Sequence, residues 1–140
     1  VTRWLNQLQP VGIMLLRIVL GVAMVFHGYS KVVPAGGLQG DHLSALNHWA
    51  HIVQGMGLPR WLGYVSALTE FVGGIFLILG LLTRFCAFLV TVNMLFAIAM
   101  VNIHKGYAGA EYSVALAAMA FLVLVAGPGK GALDRRLGLT

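Results

Sequence analysis

Glu70 stands in the middle of the apolar run WLGYVSALTEFVGGIFLILGLL, and His27 and Lys31 stand four residues apart in VFHGYSKVV. A carboxylate at hydrocarbon depth costs a few kcal/mol unless it is protonated, paired with a cation or set in a cavity, so such residues serve by default as functional candidates. Lys31 and Arg17 are the two cations that could pair with Glu70. His27 and Lys31 lie one helical turn apart and share a face. His104 and Glu111, in NIHKGYAGAEYS, add a second imidazole and a second carboxylate. Together these five groups have the chemistry of a proton relay, or of hydrogen bonding to the polar head of a small molecule in apolar surroundings.

The elements that must position them are membrane spans. Of 140 residues, 59% are hydrophobic and only 9% charged, against roughly 25% charged in soluble globular domains. A surface this poor in charge must face lipid. Apolar runs cover about residues 11–33, 61–82, 85–103 and 111–127, each near the length of about 17 to 25 residues that crosses a bilayer as helix. Short punctuated breaks, LLTRF and HKGYAGAE, make neighbouring spans antiparallel. The expected fold is all-α: one domain over residues 1–140, an integral membrane four-helix bundle. In the long first connection, residues 41–55 read as a short amphipathic helix, with Asp41 as cap and Leu43, Leu46, Ala50 and Val53 at helical spacing. Trp49 and Trp61 suit the membrane–water boundary. Residues 1–10 carry no signal-peptide cleavage pattern, and the first apolar run is long enough to stay as an anchor.

Small residues mark the faces expected to turn inward. In the second span these are Gly63, Ser66, Ala67, Glu70, Gly73, Gly74 and Leu77; in the third, Asn93, Ala97, Met100 and His104; in the fourth, Glu111, Ala115, Ala118 and Leu122. At about 1.5 Å of rise per residue, His27 lies about 9 Å and Glu70 roughly 13 Å below the same boundary. His27, Lys31, Glu70, His104 and Glu111 are therefore expected to converge on one polar pocket in the outer half of the bundle. Arg17 and Arg84 read as topology anchors, and Asn93 as a hydrogen-bonding link between helices. Arg3, Arg84, Lys130, Arg135 and Arg136 would share one side, against Lys31, Arg60 and Lys105 on the other, and five against three favours both termini in the cytoplasm.

Other chemistries find less support. The nine Lys and Arg residues, with a net charge of +5, form no basic stripe with interleaved aromatics, which argues against nucleic acid. A single cysteine, Cys86, rules out an intrachain disulfide and a Cys-x-x-Cys motif. His48 and His51, with His42 nearby, have a spacing that chance supplies easily, so no metal site is assigned. A haem needs axial ligands on opposite faces, and the estimated depths of His27 and His104 do not match.

An ordered set of motifs, LLRIVLGVAMVFHGYSKV, TEFVGGIFLILGLLTRFCAFLV, NIHKGYAGAEYS and AGPGKGALD, resembles the DoxX family of small bacterial membrane proteins from about Leu15 to Asp134. The resemblance implies a four-helix protein of the bacterial inner membrane, associated with quinone-linked electron transfer, with subunits resembling thiosulfate:quinone oxidoreductase and with oxidative-stress complexes. It marks Arg17, His27, Lys31, Glu70, Arg84, His104 and Glu111 as signature polar residues without giving each a catalytic role. Two readings follow. In one, the pocket holds a quinone head group, and partner membrane or periplasmic redox subunits carry the electrons, since the chain has no evident haem pair, cysteine pair or nucleotide loop. In the other, the chain is a non-catalytic accessory or anchor subunit of a larger redox complex. A conduit is a third class, weakened by the lack of an inverted internal repeat.

Overall fold

The computed structural model describes residues 2–140. Helix α1 (Arg3–Val32) runs through 30 residues, including Pro10, and at 1.5 Å per residue it is about 45 Å long. It ends where Val33 turns extended, as a residue before proline must, here Pro34. Helix α2 (His42–Gly55) follows, and its Asp41 carboxylate accepts from the backbone N–H of Leu43 at 3.0 Å and Ser44 at 3.2 Å, satisfying first-turn donors. Helix α3 (Arg60–Leu79) stops at Gly80, whose φ of 69° opens the chain into the left-handed region. There Leu81 N–H bonds to Phe76 O and Gly80 N–H to Leu77 O, the paired closure of a Schellman end. Helix α4 (Thr83–Ala97) continues into a π-helical turn over Ile98–Asn102. Helix α5 (Tyr107–Ala126) and the short α6 (Leu133–Leu137) complete the chain.

Four of these helices, α1, α3, α4 with its π turn, and α5, are long and apolar enough to cross a membrane. They close a ring in which α1 packs on α3 and α5, α3 on α4, and α4 on α5. Leu20, Met24, Leu77, Ala87, Val90 and Ala120 fill its centre, while Phe26, Val19, Phe121 and Val125 face outward. The chain is an all-α multi-pass membrane bundle. Its tightest seam joins α1 to α3. A β-carbon on Gly74 would stand 2.8 Å from Gly21 O and Val25 N, and one on Gly28 would stand 2.5 Å from Phe71 N. Backbones this close need glycine on both helices, the small-residue contact that packs helices in lipid. Gly63 likewise admits α2, lying against Ala50.

Two expected faces need correction. On α5, Glu111, Ala115, Ala118 and Leu122 are exposed, and Ala110, Leu116, Ala117, Ala120 and Val123 are buried instead. The helix is apolar around its whole circumference, with small residues on several sides, so no pattern marks the inner face. On α4 the most buried side is Ala87, Val90 and Met94. Asn93 and Ala97 lie half-buried beside it, while Met100 and His104 are exposed. The π turn adds a residue to the helical turn and breaks the 3.6 period on which that face was drawn. The helix bounds differ as well. The first helix begins at Arg3 rather than near residue 11, and the fourth span at Tyr107, because Gly106 alone supplies the positive φ that the break requires.

At the α6 end, buried Asp134 accepts from Leu82 N–H at 2.6 Å and Thr83 N–H at 2.8 Å, capping α4 from a distant part of the chain. Arg84 reaches across to the C-terminal carbonyls of α5, donating to Leu124 O at 2.7 Å. Buried Arg17 lies against the Cα of Gly80, where any side chain would collide with its guanidinium.

Candidate functional site

At the α2 end, Lys31 Nζ lies 2.5 Å from Glu70 Oε2, and Asn93 Nδ2 donates to Glu70 Oε1 at 2.8 Å. The Glu70 side chain is 4% exposed and that of Lys31 15%, so both charges are largely removed from solvent. The Lys31 ammonium also sits 3.9 Å from the centre of the Trp49 ring, an attraction worth about 0.5 to 2 kcal/mol or more as desolvation increases. Four elements meet here. Gly28 lets α1 touch the α3 backbone at Phe71, which brings Lys31, one turn further along, within reach of Glu70. Helix α4 supplies Asn93, and α2 lays Trp49 over the pair. Asn47 fastens α2 by accepting from Arg60 Nη2 at 3.3 Å and from the Tyr64 hydroxyl.

Beside this cluster lies a cavity of about 180 Å³ between α2, α3 and α4. Lys31, Trp49, Ser66, Thr69, Glu70 and Asn93 are its lining residues with polar side-chain atoms, and the rest of the lining is apolar. Val65, Phe96 and Met100 line it and are also exposed, so it opens on the bilayer-facing surface. The hydroxyls of Ser66 and Thr69 make no side-chain hydrogen bond among the described residues. A cavity of about 150 Å³ with apolar walls accepts one benzene ring, so this one has room for a single six-membered ring.

The expected five-residue convergence is therefore only partly formed: Lys31 and Glu70 meet, and His27, His104 and Glu111 lie elsewhere. His27 precedes Gly28 and so sits about 100° round the helix from the α3 contact. Its exposed ring stacks on Tyr112 of α5, with centroids 5.2 Å apart. Lys31 is about 60° from Gly28, and its longer side chain spans the difference. His104 and Glu111 are exposed around the α4–α5 connection. Arg17 is not the partner of Glu70, since it lies about 21 Å from Lys31 back toward the N-terminus of α1. Asn93, read from sequence as a link between helices, is the second partner of the carboxylate. Trp49, read as an interface aromatic, covers the ammonium. Its i, i+4, i+7 relation to Val53 and Met56, which line the same cavity, was the available signal.

His48 and His51 are exposed, and no group of three or more His, Cys, Asp or Glu side chains gathers among the described residues. His42 lies between two backbone carbonyls, with Nδ1 2.8 Å from Val32 O and Nε2 3.0 Å from Leu38 O. These bonds, Val32 first, raise its pKa above the ordinary imidazole value, with a smaller push from the Asp41 carboxylate.

Comparison with known proteins agrees with the motif set. A family profile described as DoxX matches residues 12–103, well over half of the chain. A Bacillus subtilis (strain 168) protein named "Putative oxidoreductase CatD" is 29% identical over 113 residues, covering 80% of this chain and 76% of its own length. No solved structure matches significantly.

Proposed function

The chain belongs to the DoxX family, and from that premise we propose that the cavity beside Glu70 binds the ring of a lipid-phase quinone or similar small molecule. The observation that carries this reading is one ring-sized cavity that opens toward the bilayer and is polar only at the Lys31–Glu70 end. A ring carbonyl would accept from the Lys31 ammonium or the free hydroxyls of Ser66 and Thr69. An isoprenoid or other apolar tail would leave past Val65 and Phe96 into the acyl chains. Full reduction of a quinone takes two electrons and two protons. In this reading a partner redox subunit supplies the two electrons and the proton for the far ring oxygen, and the Glu70–Lys31 pair passes the other proton to the near one. The name of the Bacillus relative supports a redox setting. The setting is the bacterial inner membrane with both termini in the cytoplasm, which places the cavity in the outer half of the bundle.

One observation favours the accessory-subunit reading alongside this one. His27 and Tyr112 expose polar atoms between α1 and α5, where a protein neighbour would satisfy them better than lipid.

The test is quinone binding to the protein in lipid nanodiscs, followed by quenching of Trp49 fluorescence in a variant with Trp4 and Trp61 replaced by Phe. Saturable quenching is expected, and it should weaken at least tenfold in Ala97→Phe, which fills the cavity, while helicity and monodispersity are retained. Quenching that is non-saturable, or unchanged in Ala97→Phe, would overturn the reading.

A further inference from the structure

The ring of His42 makes contacts at both nitrogens, and both partners are acceptors. Val32 O belongs to the last turn of α1, and Leu38 O to the short 3-10 turn that leads into α2. A neutral imidazole has one N–H and one lone pair. It can satisfy one carbonyl only, and it turns its lone pair on the other. An imidazolium donates to both. The doubly donating geometry therefore belongs to the charged ring, and it is also favoured by the partial negative charge at the C-terminus of α1.

We propose that His42 is a pH-sensitive clasp, holding the start of α2 against the end of α1 only while its ring is doubly protonated. Other charged groups around it are committed elsewhere. The Asp41 carboxylate caps α2 through Leu43 and Ser44. Lys31, on the last turn of α1, spends its ammonium on Glu70 and Trp49. Arg60 of α3, which packs under α2, is bound to Asn47. Of these, Asp41 acts on the ring, and it favours the charged form.

The sign of the effect follows from linkage. The pKa is raised in the folded chain, so the stability that the clasp gives is fully present below the unfolded value of about 6.5. It is lost as pH rises through the higher folded value. Because α2 carries Trp49 and Val53, loosening its first turn loosens one wall of the cavity. That consequence, unlike the clasp itself, rests on the binding reading above.

Two measurements on the full chain in nanodiscs test the clasp without any ligand. Nitrogen-15 NMR of the histidine rings should show His42 titrating above the ordinary imidazole value of about 6.5. Hydrogen exchange, corrected for intrinsic rate, should show α2 amide protection falling about two- to tenfold across that titration. In His42→Gln the protection should be low and independent of pH. A His42 ring that is neutral where α2 is protected, or that titrates at or below about 6.5, would overturn the proposal. So would the same fall in protection in His42→Gln. If no quinone binds at any pH while the titration and the loosening persist, the clasp stands and the binding reading fails.

Discussion

Replacing Glu70 with glutamine removes the negative charge while keeping the side chain's shape and the oxygen that accepts from Asn93. What is lost is the counter-charge to Lys31, whose side chain is only 15% exposed. Removing one partner from a buried pair costs about 3–5 kcal/mol in proteins generally. Here Lys31 keeps its contact with Trp49 and stands on the last turn of α1, where a long side chain can turn toward the interface. We therefore expect a loss at or just below the low end of that range, about 2–3 kcal/mol. Lys31→Met should cost as much or more, because the Glu70 side chain is more deeply buried than that of Lys31. The double variant is the informative one. With both charges gone the site is neutral and near its native volume, and a buried pair replaced in full is often close to neutral in stability. The double variant should thus lose no more than either single one, so the two losses fall short of additivity by at least about 2 kcal/mol, at or above the upper part of the usual range for directly coupled residues. Unfolding in mixed micelles of rising denaturing-detergent fraction, followed by circular dichroism, gives all four stabilities. Additivity within about 0.5 kcal/mol would mean that the two side chains do not interact, and would refute this account of the site.

The seam between α1 and α3 makes a paired prediction. Gly74→Ala should cost about 1–3 kcal/mol through overpacking, whereas Gly73→Ala, where an added β-carbon meets nothing within 4 Å, should leave stability unchanged or raise it; detergent unfolding distinguishes them. Asp134→Ala should lose at least about 1 kcal/mol from the α4 cap, with first-turn α4 amides exchanging faster. Arg84→Ala should fray the last turn of α5, whose Leu124 and Val125 carbonyls it binds, and exchange at the amides of that turn measures the effect.

How much of this was legible beforehand depended on whether a residue's neighbours were local. Membrane spans follow from runs of hydrophobicity, and the α2 cap from an aspartate just before a periodic segment. On α3 the inner face was readable because Gly63, Ala67, Gly73 and Gly74 accompany Glu70 at helical spacing and are all buried with it. Helix α5 offered no such contrast: Ala115 and Ala118, which accompany Glu111 on one face, are matched by Ala110, Ala117 and Ala120 on the side that is buried. The split of His27 from Lys31 depends on where α3 crosses α1. That crossing is set by Gly21 and Gly28 against Gly74 and Phe71, a pairing between distant segments. Asp134 capping Leu82 and Thr83 is equally non-local, and only the structure gives the LD of AGPGKGALD its physical role. The carbonyls facing His42 are backbone groups, invisible in a list of side chains.

The central claim is that a small ring enters from the bilayer and rests beside Glu70. Photocrosslinking with a quinone bearing a photoreactive group on its ring, in nanodiscs and with peptide mapping, tests it most directly. Labels are expected on α3 and α4 around Ser66, Asn93 and Phe96, competed away by unlabelled quinone and lost in Ala97→Phe. Labelling that instead gathers on the α1–α5 face around His27 and Tyr112, or that excess quinone does not displace, would contradict it.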